Sequence, residues 1–167
     1  TTDFRTAIQK LILAKPAAIA VAGLQRDCAI AIKQIGDLGY KGQILATVGC
    51  DDQIAITAAG AAAEGALIVS IAGEPTAKFT ELTQNKYGHT PLSWSAEAFD
   101  GLRYLALGLA RAYDGKTPVT GYGLQSALSL ITTFSGEAGA AEFDKDGNAK
   151  RALHVKEVKN GEIIEIQ

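Results

Sequence analysis

Residues 18–22 form a short unbroken apolar run, the pattern of a strand buried on both faces. Beyond Gly23 and Leu24 the rhythm changes. Residues 27–38 carry apolar positions at Ile30, Ala31, Ile35 and Leu38, with Lys33, Gln34 and Asp37 between them, which suits one face of a helix. Gly39 fits the left-handed residue that closes such a helix, because glycine has no Cβ to clash there. Residues 43–48 then read as the next buried strand. The stretch 18–48 therefore predicts a strand–helix–strand crossover with parallel strands. In such sheets ligands sit beyond the carboxyl ends of the strands. That singles out the loops 23–27 and 47–53.

The same two rhythms continue on either side. Residues 1–15 read as mostly helix, with Phe4, Ile8, Leu11 and Ile12 on one stripe, Thr2 or Asp3 as cap and Pro16 as the stop. Asp51 or Asp52 can cap a short helix through Ala59, followed by small residues at 58–63 and a third buried strand at 66–71. Gly73-Glu74-Pro75 breaks the pattern and is a candidate crossing between lobes. Helical spacing returns at 76–87, through Phe79, Leu82 and Tyr87. It returns again at 93–113, through Ala98, Leu102, Leu105, Leu109 and Ala112, where Asp114-Gly115 stops it. After the turn-rich 116–121, a helix is expected over 122–133, with Leu124, Leu128 and Ile131 on one side. Strands follow at 140–143, 152–158 and 163–166, with turns at 144–148 and at Asn160-Gly161, a strong hairpin signal. The fold class is α/β: a parallel sheet flanked by helices, with a C-terminal antiparallel β tail. Three regions are expected: 1–73, 74–139 and 140–167.

Composition narrows the function. With 167 residues and 47% hydrophobic content the chain can build a real core, and disorder is excluded. A formal net charge of −2 without a basic run argues against nucleic acid and anionic membrane as partners. No apolar run reaches the roughly 18 residues of a membrane span. Cys28 and Cys50 are too few for a disulfide framework and lack zinc spacing. Both follow the carboxyl ends of the crossover strands. Two buried thiols are the favoured reading, and a disulfide stays open if the strands are neighbours.

Catalytic signals are weak. Gly121-Tyr122-Gly123 lacks a third glycine and a preceding strand, so it does not make a dinucleotide loop. No P-loop, Gly-x-Ser-x-Gly or His-x-x-x-His occurs, and His89 and His154 read as surface or structural residues. Residues 144–148 are similar to a calcium loop, but the twelfth position from Asp144 is Val155 rather than a bidentate Glu, so a hairpin turn is the plainer reading. No metal or other cofactor is expected. Trp94, the single Trp, starts the longest helix and suits either a core residue or the aromatic wall of a cleft.

Several segments in order resemble the C-terminal half of a type I periplasmic solute-binding protein of the branched-chain amino-acid group. These are Thr2-Asp3-Phe4 with Lys15-Pro16 and 18–23; Ala31-Ile32-Lys33-Gln34 through Leu38-Gly39-Tyr40-Lys41-Gly42; Ala62-Ala63-Glu64-Gly65; Ala98-Phe99-Asp100-Gly101-Leu102; and Phe143-Asp144 with Gly147, 155–158 and Gly161. The specificity lies in their order and spacing. The resemblance implies a Rossmann- or flavodoxin-like lobe at 1–73, a crossing near 73–75, helices at 74–139 that belong with the first lobe, and a tail at 140–167. It implies a non-enzymatic, periplasmic protein whose two lobes close on a small solute, an amino acid or carboxylic acid. That protein would dock on the membrane permease of an ABC transporter, with a signal peptide removed. The missing N-terminal half of the same protein is then a partner. A ligand-sensing domain of a regulator or receptor is the alternative, and an enzyme of flavodoxin-like architecture the third reading. The resemblance places Leu24, Val48 and Trp94 at ligand contacts, with Thr47 and Asp51 in the same loop. Val48 stands where amino-acid binders carry an acid for the ligand's ammonium. Asp51 or Asp52 could replace that acid; otherwise the ligand lacks an α-amino group.

Overall fold

Helix α1 (Arg5–Leu13) opens the described chain, and the backbone N–H of Arg5 donates to Asp3 at 3.0 Å. In this computed structural model, residues 3–71, 74–92, 94–113 and 118–166 are described. Cap residue Thr2, the stop at Asp114-Gly115 and part of the crossing at 73–75 lie outside them.

The crossover follows as expected: β1 (Ala18–Val21), α2 (Gln25–Asp37) and β2 (Gln43–Thr47). The strands are parallel neighbours in register from Ala18↔Gln43 to Val21↔Ala46. Gly39 takes the left-handed backbone (φ 78°) that closes α2. A short turn at Val48–Cys50 leads to α3 (Gln53–Ala59) and then to β3 (Leu67–Ser70), parallel to β2.

The chain divides into two compact units, Thr1–Ile71 with Leu153–Gln167, and Ala72–Ala152. In the first, the sheet order is β1-β2-β3-β7-β8, where β7 (His154–Lys159) and β8 (Glu162–Glu165) form an antiparallel hairpin added to β3. The Asn160-Gly161 turn has φ of 55° and 77°, which is why Asn-Gly suits it. Glu64 accepts from both of its backbone N–H groups, at 2.8 and 3.2 Å, and Gln53 donates to the Gly161 carbonyl at 2.7 Å. The last hairpin is thereby latched to the α3 side of the sheet.

Burial alternates along β1, β2 and β3, which corrects the expectation of strands covered on both faces. Ile19, Val21, Ile44, Ala46, Ile68 and Val158 are buried in one core with Ile8, Ile32, Ile35 and Ile56 of the helices. Ala20, Leu45 and Val69, on the other face, are exposed. Handedness explains this. The strand order advances in one direction from β1 to β3, so right-handed crossovers place α2 and α3 on the same side. The apolar sequence provides for two covered faces, and the described elements of this unit cover one.

The second unit holds α4 (Ala77–Tyr87), α5 (Ser95–Ala112), α6 (Gly121–Ser129) and an antiparallel sheet of β4 (Thr133–Gly136), β5 (Gly139–Phe143) and β6 (Ala149–Lys150). The helix expected over 122–133 ends at Ser129, and β4 and β6 were not expected. Strands after residue 140 thus go to two different sheets. Asp100 of α5 is buried, and its carboxylate accepts from the backbone N–H groups of Glu137 and Ala138 at 2.8 and 2.7 Å. A Cβ at Gly136 would overlap that carboxylate, so glycine is required there. Arg103 lies 3.6 Å from Asp100 and 3.8 Å from Glu137. This carboxylate therefore fixes the β4–β5 turn to the longest helix. Gly108 serves α6 in the same way, since a Cβ there would strike Leu128 and crowd Leu124. The stripe Ala98, Leu102, Leu105 and Leu109, by contrast, is exposed on α5.

Candidate functional site

The two loops singled out by the crossover lie side by side because β1 and β2 are paired neighbours. Leu24 is the residue before α2, in extended backbone (φ −105°, ψ 164°), and 76% of its surface is exposed. This large apolar side chain lies outside the core, beyond the carboxyl end of a parallel strand. Thr47 is the exposed last residue of β2, and Val48 begins the short turn and is half-buried. Leu24, Thr47 and Val48 thus come together on one ledge.

Close packing holds that ledge. A Cβ at Gly49 would overlap the Gly23 carbonyl oxygen, so only glycine permits the two loops to approach this closely. Cys28, in the first turn of α2, forms a disulfide with Cys50, and both are fully buried. This overturns the favoured reading of two free thiols. The pairing of β1 with β2 brings the two Cα atoms to 5.4 Å, within the usual range for the bond.

Asp51 is only 8% exposed, and its Oδ2 accepts from Lys156 Nζ at 2.8 Å. Lys156 is on β7, on the same buried face as Val158. Burying either charge alone costs several kcal/mol, and pairing offsets that cost. Asp52 has a task as well: its Oδ1 accepts from the N–H groups of Ile54 and Ala55 at 2.7 and 3.3 Å, capping α3. The two acids of this loop therefore have internal partners. Lys156 was missed from the sequence. Period-2 alternation puts it on the face of Val158, and a lysine on an apolar strand face calls for a buried acid.

Trp94 belongs to the second unit. It precedes α5 with φ 68° and ψ 3°, a left-handed backbone that is uncommon for a bulky residue, and is 38% exposed. Strained backbone persists where surroundings impose it, and it clusters at ligand contacts. The histidines are engaged locally: His89 lies 2.7 Å from the Thr90 carbonyl, and His154 Nδ1 donates to Glu165 at 2.9 Å.

The family described as periplasmic binding protein matches residues 1–162. Nothing matches among curated protein sequences. Among solved structures, a leucine binding protein, LivK, from Thermotoga maritima is similar to this chain at 28% identity and a TM-score of 0.86, covering 100% of this chain and 48% of that one. The branched-chain amino acid transporter substrate binding protein LivJ from Streptococcus pneumoniae, in complex with isoleucine, gives 22% identity and a TM-score of 0.79, covering 99% and 49%. An ABC transporter solute binding protein from R. palustris, in complex with benzoate, gives 16% and 0.83, covering 99% and 46%. The chain spans about half the length of the structures it matches.

Proposed function

Because the chain belongs to the periplasmic binding protein family, we propose that it is part of the substrate-binding component of an ABC transporter, and that it captures a small carboxylic acid lacking an α-amino group. The unit Thr1–Ile71 with Leu153–Gln167 supplies the second lobe, and Ala72–Ala152 belongs with the first. The rest of the first lobe comes from the N-terminal half of the same protein. Solute binds between the lobes, hinge closure captures it by favouring the closed form, and the loaded protein docks on the membrane permease. The role is capture without chemistry. An extracytoplasmic location fits the buried Cys28–Cys50 disulfide, since such bonds persist in oxidising compartments.

One observation carries the choice of solute: the ledge offers Leu24 and Val48, while Asp51 and Asp52 are already engaged by Lys156 and by the start of α3. An ammonium beside Val48 would lose water without gaining a partner, at a cost of several kcal/mol for an unpaired charge. Related folds hold isoleucine in one case and benzoate in another, so the fold accommodates both chemistries. Calorimetry on the full-length protein with an amino acid and its desamino analogue tests the reading. The analogue is expected to bind at least ten-fold tighter, and tighter binding of the amino acid would overturn it.

A further inference from the structure

The ladder between β1 and β2 ends at Val21↔Ala46, before either contact loop begins. Past that point, among the described residues, no hydrogen bond joins 22–28 to 47–52; the bonded Cys50 Sγ only lies 3.6 Å from the Val21 carbonyl. What joins them is the disulfide and the Gly23–Gly49 contact. Cys28 sits one helical turn beyond Leu24, and its N–H donates to the Leu24 carbonyl at 2.9 Å. Cys50 closes the turn that Val48 opens. The covalent link therefore joins the helical turn that follows Leu24 to the short turn that Val48 opens.

We propose that the Cys28–Cys50 disulfide is a positioning element of the solute site, fixing the spacing of Leu24 and Val48, so that the oxidised protein binds solute and the reduced protein binds it weakly. The inference rests on the reading of this ledge as the solute site. Reduction breaks one S–S bond; a dithiol reductant supplies two electrons and two protons, leaving two thiols and a cyclic disulfide of the reductant. Freed of the bond, two fully buried sulfurs separate to ordinary van der Waals distance, and the Gly23–Gly49 contact opens with them. Each loop then samples positions in which only one of the two contacts meets the solute. Preorganisation is lost, and affinity falls without loss of either strand.

The test uses the full-length protein, oxidised and after reduction by dithiothreitol, with thiols counted to show complete reduction. Leucine and benzoate serve as calorimetric probes, and amide hydrogen exchange is measured in parallel. We expect at least a ten-fold loss of affinity on reduction. Exchange should rise in 23–28 and 47–52 and stay unchanged in the β7–β8 hairpin. Equal affinities in the two forms, or unchanged exchange in both loops, would overturn the proposal. Should neither probe bind the oxidised protein, the choice of solute is at fault, and the exchange arm still decides the inference. The double variant Cys28→Ser/Cys50→Ser should reproduce the reduced state; if it does not fold, dithiothreitol on the native protein gives the same readout.

Discussion

Replacing Lys156 by Met tests the interior of the first unit most severely. Lys156 Nζ and Asp51 Oδ2 are 2.8 Å apart, with side chains 9% and 7% exposed, so water replaces neither partner. At the effective dielectric that suits such sites, unit charges at this spacing attract by about 4–6 kcal/mol, of which desolvation cancels a large part. Removing the lysine removes the attraction and leaves the carboxylate buried, so the expected loss is about 3–5 kcal/mol. Replacing both residues, as Asp51→Val with Lys156→Met, removes the desolvation cost as well. The double variant should regain at least about 2 kcal/mol relative to the sum of the single ones. Urea unfolding of the full-length protein, read as a change of midpoint at constant slope, measures all three variants. A loss below about 1 kcal/mol in Lys156→Met, or additive single effects, would refute a buried and coupled pair.

Trp94→Ala is expected to weaken solute binding by about 1–3 kcal/mol in the full-length protein; unchanged affinity in calorimetry would return Trp94 to a packing role. The 167 residues expressed alone should self-associate in sedimentation velocity, because Leu45 and Val69 of the sheet and Leu102, Leu105 and Leu109 of α5 are exposed; a monodisperse monomer would refute this. The Asp144 carboxyl is held below its ordinary 3.8, first by the Asn148 side-chain amide and then by the backbone N–H groups of Asn148 and Asp146. Its contribution to the β5–β6 turn is therefore present above 3.8 and is lost as pH falls through the lower native value. The amide resonance of Asn148 should titrate with a midpoint below 3.8, and Asp144→Ala should remove that titration.

What the sequence disclosed followed its strongest local signals. The apolar run at 18–22, the helical spacing of 27–38 and the glycine at 39 fix the crossover, because each rests on a period or on a backbone requirement. Asn160-Gly161 fixes the final hairpin for the same reason. Helical spacing carried α6 too far: Ile131 fits the stripe of Leu124 and Leu128, yet the chain leaves the helix after Ser129 to form β4. That strand depends on Asp100, more than thirty residues away in sequence, which grips its turn. Long-range pairings of this kind leave no local trace of which residue the partner is. Asp51–Lys156 is another, and so is the disulfide, whose formation depends on β1 and β2 being neighbours. Of the candidate site, the loops 23–27 and 47–53 were legible from the crossover, and the resemblance named Leu24 and Val48 within them. The engagement of Asp51 and Asp52 was not, because either could cap α3 and only the structure assigns that task to Asp52.

The placement of β7 has a kinetic consequence. Pairing Ser70 with His154 closes a loop of roughly 80 residues, an entropic cost near 4 kcal/mol beyond the constant for short loops. That cost falls before the pairing gains any contact, so the sheet holding the candidate ledge completes late. β3 keeps an open edge until the hairpin docks, and during that interval it is the segment most exposed to wrong partners. Since loop cost grows only with the logarithm of length, doubling the insertion between β3 and β7 adds about 0.6 kcal/mol. A change in the length of that insertion therefore costs the sheet of the first unit little, and the folding rate registers its presence far more than its length.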